Sequence, residues 1–436
     1  MLRAFNLLSQ DRGNLLSLLM LTLFISPVLA SHTPPNQEWT CENRVYDEAI
    51  RTVQLYRDIY ETSYPVIYLG QALPLTLEFD ELMAQEDRAS DFLVDIINCD
   101  VNWQPTNVLP IEFFDGFTQD RLTSFRRSRH TKVPYVHFLY TFPQQGERFK
   151  MSGNYLLKVY RDDAEETVVL TQRFIVVEQR TEIQLINQLA PMPERLELEE
   201  IAFTLTTEGL PIRNNFRDLK IFLLQNFRWG DAFQFDQPRF QSPNRLEYYT
   251  DLSQAFDTGN EFRFHDIRSV RFYSNSIREV LEREEVYDVI LYRDQVRNKN
   301  SLGPIQDFNG AYFVQISDFQ DGDVHADYVY NLFALQSPPL PDANVYINGS
   351  FTGWQLEDMY QMEYNDTQRQ YELDLLLKQG FYDYQYVVKT PKKAQSSPIE
   401  GPHRFGENFY SLLVYFRSPM DRTDRLIGYQ TINYID

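Results

Sequence analysis

One segment near the C-terminal end constrains the fold more than any other part of the chain. Hydrophobic and polar residues alternate at 343–347, and the following Asn348-Gly349 pair is typical of a tight hairpin turn. Trp354 follows the turn, and residues 371–377 and 381–388 then give two more strand patterns, separated by a glycine. Because such alternation places apolar side chains on one face of a strand, the segment predicts an antiparallel β-sandwich.

The same alternation recurs through the N-terminal part of the chain. The apolar residues from Leu73 to Phe79 alternate with proline, threonine and glutamate, which predicts a strand with one buried face. The 28 Tyr and 32 Phe residues also favour pleated, half-buried surfaces. A sandwich of about seven strands is expected from this spacing. Comparable strand patterns occupy residues 91–100, 134–143, 153–162 and 167–178.

The length of 436 residues leaves room for several domains. We predict an all-β chain of three serial immunoglobulin-like or early-set β-sandwich domains, at residues 38–180, 181–336 and 340–436. The last boundary falls in the proline-rich segment 337–341, because proline restricts its own backbone and that of the preceding residue. One helix-like stretch, at 275–285, lies among the strands of the second domain.

The N-terminus has the pattern of an export signal. Arg3 and Arg12 precede an apolar run at 15–26, and residues 28–30 resemble a signal-peptidase site. We therefore predict a signal peptide at 1–30; a membrane anchor is the alternative, but the run is short for a membrane span. Removing this leader, whose net charge is +1, takes the formal charge from −21 to −22. Such an acidic protein is a poor match for nucleic acids or anionic membranes.

The two cysteines, Cys41 and Cys99, leave two alternatives open. In an oxidising compartment they could form a disulfide, which would stabilise the protein by about 4 kcal/mol on the chain-entropy model. The alternative is a pair of free thiols, because the sequence does not show the geometry that a disulfide needs.

The sequence offers no recognisable catalytic motif, whether of a serine hydrolase, a zinc protease or a nucleotide-binding enzyme. We predict no catalytic residue, no cofactor and no metal site. His137 lies in a strand beside Tyr135 and Leu139, where a packed structural histidine is a better interpretation than a metal ligand. Asp318, Asp321 and Asp323 could hold a hard cation, but a solvated acidic turn is favoured.

Tryptophan and arginine side chains are the candidates for interaction. Trp354 could stack on a sugar ring, although packing within the protein is favoured. Trp103 and Trp229 follow predicted strands, where packing is again the better interpretation. A basic cluster in this acidic chain could contact acidic groups of a partner, with a solvated loop as the alternative. The cluster comprises Arg126, Arg127, Arg129 and Lys132.

Eight blocks between residues 40 and 434 together resemble the plug protein of the type IX secretion system. Cys99 belongs to one of these blocks and fits the family, whereas Cys41 is not part of its pattern. The blocks are TVQLY at 52–56 with PVI at 65–67, LTLEFDEL at 75–82, CDVNW at 99–103, SGNY at 152–155, QNFRW at 225–229, GNEFR at 259–263, LLKQG at 376–380 and DRLIG at 424–428. The C-terminal segment also resembles a glycogen-binding-type early-set module.

The resemblance to the plug family implies a function without catalysis. Such a protein is periplasmic and lies against the inner side of the outer membrane, as a monomer within a complex that can include other secretion-system subunits. It seals the periplasmic mouth of the outer-membrane translocon, a very large β-barrel, when no cargo is passing. It binds no nucleic acid and does not insert into the membrane. The main alternative is a periplasmic carbohydrate-binding protein that uses Trp354; an exported hydrolase and an exported cargo protein are weaker alternatives.

Overall fold

The computed structural model describes residues 39–82, 89–186, 198–199, 201–250, 256–257, 260–297, 307–317, 321–401 and 408–434. The predicted signal peptide, 1–30, and Asp318 lie outside these residues. Strands dominate the described chain and helices are few and short, which confirms the all-β, multi-domain sandwich class. In the part of the chain so described, no helix has the length and apolar character needed to cross a membrane.

Strands follow one another from end to end of the described chain. The first are β1 Arg44–Val45, β2 Ile50–Arg57, β3 Val66–Tyr68, β4 Leu75–Leu82, β5 Phe92–Cys99, β6 Phe114–Asp115, β7 Gln119–Arg121, β8 Phe125–Arg127, β9 Tyr135–Phe142, β10 Arg148–Phe149, β11 Gly153–Arg161 and β12 Val168–Val177. The next are β13 Ile183–Leu185, β14 Leu198–Glu199, β15 Ala202–Thr206, β16 Leu219–Gln225, β17 Phe233–Phe235, β18 Phe240–Ser242, β19 Arg245–Tyr249, β20 Phe256–Asp257, β21 Arg263–Asp266, β22 Ile277–Glu282, β23 Tyr287–Leu291, β24 Asp294–Gln295 and β25 Tyr312–Val314.

The remaining elements complete the C-terminal part and the short helices. The strands are β26 Tyr328–Gln336, β27 Asn344–Asn348, β28 Glu363–Asn365, β29 Gln370–Lys378, β30 Gly380–Lys389, β31 Ala394–Gln395, β32 Asn408–Phe416 and β33 Arg425–Tyr434. The helices are α1 Pro110–Phe113, α2 Asn215–Asp218, α3 Gly322–His325 and α4 Ser397–Glu400, with 3₁₀ turns at Ser350–Thr352 and Asp358–Tyr360.

The first sandwich packs two sheets around one hydrophobic core. One sheet has the order β1-β12-β11-β5-β7, with β3 added to β12, and the other has the order β2-β4-β9-β8. Strand β5 shows why these residues form a half-buried strand: Phe92, Val94 and Ile96 are buried, whereas the residues between them are partly exposed. The buried side chains of both sheets meet in a core that includes Phe79 and Phe138.

The second sandwich is built from two separated stretches of sequence, which corrects a predicted boundary. Strand β16 pairs with β32, and β32 pairs with β33, so that residues near 220 share a sheet with the C-terminal strands. The facing sheet has the order β13-β15-β19-β18, and the two sheets share one core. The division between 181–336 and 340–436 is therefore wrong, because hydrogen-bonded strands cross it.

The third sandwich lies within the sequence of the second, between β21 and α4. Its sheets have the orders β21-β30-β25, with β27 and β31 on β30, and β22-β23-β26-β29-β28, with β24 on β26. The proline-rich segment 337–341 joins β26 to β27 inside this sandwich and does not separate domains. The stretch predicted to be helical, 275–285, contains β22 instead. The number of independent domains stays a prediction.

Strand β4 departs from the predicted pattern of one buried face. Leu75, Leu77 and Phe79 face the core of the first sandwich, as expected. The alternate residues Glu78 and Asp80 are also buried, at 8% and 0% exposure. This second face of β4 packs against the third sandwich, since the carboxylate of Asp80 bonds side chains of β26 and β29. Polar residues on a strand therefore mark an internal contact here, not a solvent-facing surface.

Candidate functional site

A buried polar cluster joins the first sandwich to the third. Asp80 lies opposite His137 in the pairing of β4 with β9, and its Oδ1 is 2.8 Å from His137 Nδ1. The other carboxylate oxygen accepts hydrogen bonds from Lys378 Nζ and from the Tyr328 hydroxyl, both at 2.7 Å. Tyr328 and Lys378 are themselves paired across β26 and β29. Because none of the four residues is more than 4% exposed, this contact is fully desolvated.

The charges in this cluster are mutually compensated. Burial alone would raise the pKa of Asp80, but Lys378 and His137 outweigh that effect and hold it below its ordinary value. Burial and the neighbouring Asp80 carboxylate raise the pKa of Tyr328, so its hydroxyl stays protonated and donates. Asp80 is therefore an ionised carboxylate, bonded on one oxygen by His137 and on the other by Lys378 and Tyr328. The removal of one of these groups would leave the buried negative charge without full compensation.

Next to this cluster, three donor groups converge. His137 Nε2 is buried and has no hydrogen-bond partner among the described residues; it lies 3.9 Å from Asp323 Oδ2. Glu78 faces the same space from β4, and burial, together with Asp323, raises its pKa to about 7. One ligand atom from each of Glu78, His137 and Asp323 lies within 4.8 Å of the others. These residues could hold a cation.

Local structure fixes the position of Asp323. Helix α3 begins after Asp321, whose side chain accepts a hydrogen bond from Asp323 N at 3.1 Å and so caps the helix. Arg126 forms ion pairs with both Asp321 and Asp323. The sequence interpretation treats His137 and this acidic turn separately, because they are distant in the chain, whereas the structure brings them together.

The basic cluster predicted for partner contact lies against the third sandwich. Besides Arg126, Lys132 contacts it: Lys132 Nζ donates to the Arg283 carbonyl at 2.6 Å and lies 3.2 Å from Glu282. The backbone of Arg129 bonds Val324 O at 2.7 Å, and Arg127 lies exposed in β8. The acidic partners of Arg126 and Lys132 thus belong to the same chain, and a role of the cluster towards another protein stays a prediction.

Trp103 and Trp229 lie between the first and second sandwiches. Their rings meet edge to face at 4.7 Å, and the guanidinium of Arg173 lies 4.4 Å from the Trp103 ring. Trp103 is only 7% exposed, and both rings belong to a hydrophobic cluster shared by the two sandwiches. Both rings therefore make packing contacts within this chain, and a role of either towards a partner stays a prediction.

The two cysteines are neighbours in the same region. Cys41 Sγ and Cys99 Sγ are 3.9 Å apart and are not bonded, since a disulfide bond measures about 2.05 Å. The contact with Cys99 lowers the pKa of Cys41, an effect that Arg173 reinforces and burial opposes. The structure supplies the proximity that the sequence could not show, and the pairing itself stays a prediction.

Trp354 lines a large cleft but is not an open platform. Its ring meets Phe262 at 5.9 Å, and the guanidinium of Arg228 lies 5.5 Å from its centre. A Cβ atom at Gly310 would clash with the same ring, which shows how closely the backbone approaches it. The cleft has a volume of about 1430 Å³ and is lined by parts of all three sandwiches. Internal contacts therefore account for much of the Trp354 surface.

An exposed aromatic surface that the sequence interpretation missed lies on the third sandwich. We call it the phenylalanine strip: Phe264 on β21, Phe381 on β30, Phe313 on β25, and Phe308 in the loop before β25. The Phe381 ring stacks on Phe264 and Phe313 at 5.7 and 5.5 Å, and Phe308 meets it edge-on at 5.4 Å. Phe264 and Phe308 are 39% and 47% exposed. Contiguous exposed aromatic rings are typical of a binding surface.

A family model and a solved structure both match this chain. A family model described as the type 9 secretion system plug protein first domain matches residues 50–178. The crystal structure of a hypothetical protein from Parabacteroides merdae has a TM-score of 0.85 and 30% identity, covering 91% of this chain and 100% of that one.

Other similarity to solved structures is remote. Trypsin-activated alpha-2-macroglobulin from Escherichia coli gives a TM-score of 0.17 at 10% identity, over 88% of this chain and 28% of that one. No curated protein matches significantly.

The matched first domain contains β4 and β9, and hence Asp80 and His137. Because residues 50–178 match the model of its first domain, the chain belongs to the type IX secretion system plug protein family.

Proposed function

We propose that this protein is a non-catalytic plug that closes the periplasmic mouth of the type IX translocon when no cargo is passing. The observation that carries the proposal is the family-model match over residues 50–178. A plug needs to be wide and rigid, and to leave the pore reversibly. Buried hydrogen bonds support rigidity: Asp80 of the first sandwich, which also bonds His137, accepts from Lys378 and Tyr328 of the third.

We propose the phenylalanine strip as the surface that docks on the translocon. Phenylalanine side chains bury large apolar areas on binding, and a few such residues usually provide most of the binding energy of an interface. The formal charge of −21 would steer the approach towards a basic rim of the barrel and keep the free protein soluble. An apolar surface on an otherwise acidic protein suits a contact that forms and separates repeatedly.

Carbohydrate binding through Trp354 is the weaker proposal. A sugar platform needs an aromatic face open to solvent, whereas Arg228 and Phe262 contact the Trp354 ring. No other observation favours a glycan over a protein partner.

Combined replacement of Phe264 and Phe308 by asparagine is expected to weaken binding to the translocon by at least about 30-fold, because the loss of even one centrally placed aromatic residue costs about 2 kcal/mol in such interfaces. The matched control is Phe216→Asn, since Phe216 is 61% exposed on α2 of the second sandwich. Binding is measured by recovery of the barrel from detergent-solubilised outer membranes with tagged wild-type or variant protein.

The same variants test sealing in cells. A deletion strain should admit antibiotics and dyes that wild-type cells exclude, and the wild-type gene or Phe216→Asn should restore the barrier. The strip variant should fail to restore it at equal protein level. Equal barrier function in the deletion strain would contradict the plug function, whereas full rescue by the strip variant would contradict only the docking surface.

We also propose that Cys41 and Cys99 form a disulfide once the protein is exported. Their sulfur atoms already lie 3.9 Å apart, and an oxidising envelope favours pairing. Protein isolated from the periplasm without reductant should have an intact mass lower by two hydrogen atoms than the reduced protein, and a digest should contain the linked peptides. Alkylation of both thiols under denaturing conditions without reductant would refute the pairing.

A further inference from the structure

We propose that Glu78, His137 and Asp323 form a binding site for a divalent transition-metal ion, with Zn²⁺ as the ion that best suits the donors. The proposal does not depend on the plug function. Its central observation is His137 Nε2, a buried nitrogen with no hydrogen-bond partner among the described residues, on a side chain that is 4% exposed. A buried polar atom of this kind is costly unless it acquires a partner.

The orientation of His137 is already that of a metal ligand. Its Nδ1 lies 2.8 Å from Asp80 Oδ1, which leaves Nε2 to face Glu78 and Asp323. In metal-bound histidines the N–H of the second ring nitrogen commonly donates a hydrogen bond to a carboxylate in this way, and the carboxylate fixes the ring. Asp80 is in turn held by Lys378 and Tyr328, so that the ring rests on a rigid support.

The three donor atoms need to move only slightly closer together to bind a zinc ion. The three donor atoms lie within 4.8 Å of one another, whereas ligands at about 2.1 Å from a tetrahedral zinc ion are about 3.4 Å apart. Glu78 and His137 are held on the paired strands β4 and β9. Asp323 is the adjustable ligand, because its side chain is 33% exposed and lies in the short helix α3.

The local charge balance also favours a cation. Among the described residues, five carboxyl groups surround the site, whereas Lys378 and Arg126 are the contacting side chains that supply positive charge. The carboxyl groups belong to Glu61, Glu78, Asp80, Asp321 and Asp323. Histidine nitrogen combined with carboxylate oxygen is a donor set suited to Zn²⁺ more than to Ca²⁺ or Mg²⁺, which prefer oxygen alone. A bound ion would join the first sandwich to α3 of the third.

Titration of the purified, chelator-treated protein with Zn²⁺ tests the site by isothermal calorimetry. Wild-type protein should bind one ion per chain, and Asp323→Asn should weaken that binding by at least about tenfold. The matched control is Asp321→Asn: asparagine still caps α3, and Asp321 pairs with Arg126 but is not one of the three donors, so its replacement should weaken binding much less than Asp323→Asn does. His137→Asn should abolish binding. If that buried change prevents folding, the affinity of Asp323→Asn, whose replaced side chain is partly exposed, tests the site instead.

A second histidine pair provides the competing explanation. The rings of His130 and His325 stack at 6.3 Å close to the same turn and could bind zinc by themselves. His325→Asn should leave the affinity unchanged, and Co²⁺ in place of Zn²⁺ should give the visible absorption of a tetrahedral site that Asp323→Asn removes. The proposal is overturned if the wild type shows no saturable binding, if Asp323→Asn binds as tightly as Asp321→Asn, or if His325→Asn abolishes binding.

Discussion

Replacing Lys378 with methionine is expected to lower the free energy of unfolding by about 3–5 kcal/mol. Lys378 and Asp80 are each no more than 1% exposed, and Lys378 Nζ is 2.7 Å from Asp80 Oδ2. Methionine fills a similar volume but leaves the carboxylate of Asp80 buried without its main counter-charge. The amine also bonds the carbonyl oxygen of Asp323 at 2.8 Å, so the change removes a second hydrogen bond, within the third sandwich.

Chemical denaturation followed by tryptophan fluorescence measures this loss. Lys392→Met is the matched control, because Lys392 is exposed and its replacement should change the free energy by less than about 0.5 kcal/mol. The double variant Lys378→Met with Asp80→Asn should be less destabilised than the two single losses added together, since it removes both members of the pair. A loss below about 1 kcal/mol in Lys378→Met would mean that the charge of Asp80 is compensated in another way.

The strand pattern of the sequence predicted the class of fold because local alternation decides it. Residues 73–79 predicted a strand, and β4 occupies 75–82 with its apolar side chains in the core of the first sandwich. Alternation cannot show what covers the polar face of a strand. Glu78 and Asp80 have the sequence pattern of solvent-facing residues, yet the third sandwich buries them, and the candidate metal site lies on that hidden face.

The sequence also could not show which distant strands pair with one another. Nothing in β16 indicates that its partner is β32, almost at the other end of the chain, and the proline-rich segment 337–341 gave a plausible but wrong boundary. The phenylalanine strip was missed for the same reason. Phe264, Phe313 and Phe381 each lie in an ordinary strand, and only the pairing of β21 and β25 with β30 aligns their rings.

Asp383→Asn is expected to stabilise the protein in a pH-dependent manner, most strongly above neutral pH. Asp383 is 0% exposed, and its Oδ1 has no hydrogen-bond partner among the described residues. Burial, together with Asp307, raises its pKa to about 7. Because the folded state binds this proton more tightly than the unfolded chain does, the side chain favours folding at low pH. That contribution is lost as the pH rises from about 4 through 7.

Asparagine has the same shape and cannot ionise. Relative to wild type, the free energy of unfolding of Asp383→Asn should therefore rise by about 3 kcal/mol between pH 5 and pH 8.5, at about 1.4 kcal/mol per pH unit up to the pKa. Comparison of variant with wild type at each pH cancels the titration of other groups, including Glu78. Denaturation at both pH values measures the effect, with Asp366→Asn in an exposed turn as the control.

The effect should extend to the phenylalanine strip. Asp383 Oδ2 accepts hydrogen bonds from the backbone N–H groups of Phe308 and Gly310, so the carboxyl group anchors the loop that carries one of the four rings. Hydrogen exchange of these two amides should depend on pH more strongly in wild type than in Asp383→Asn, beyond the intrinsic pH dependence of exchange. A stability difference between variant and wild type that is the same at both pH values would mean that Asp383 ionises normally in the folded protein.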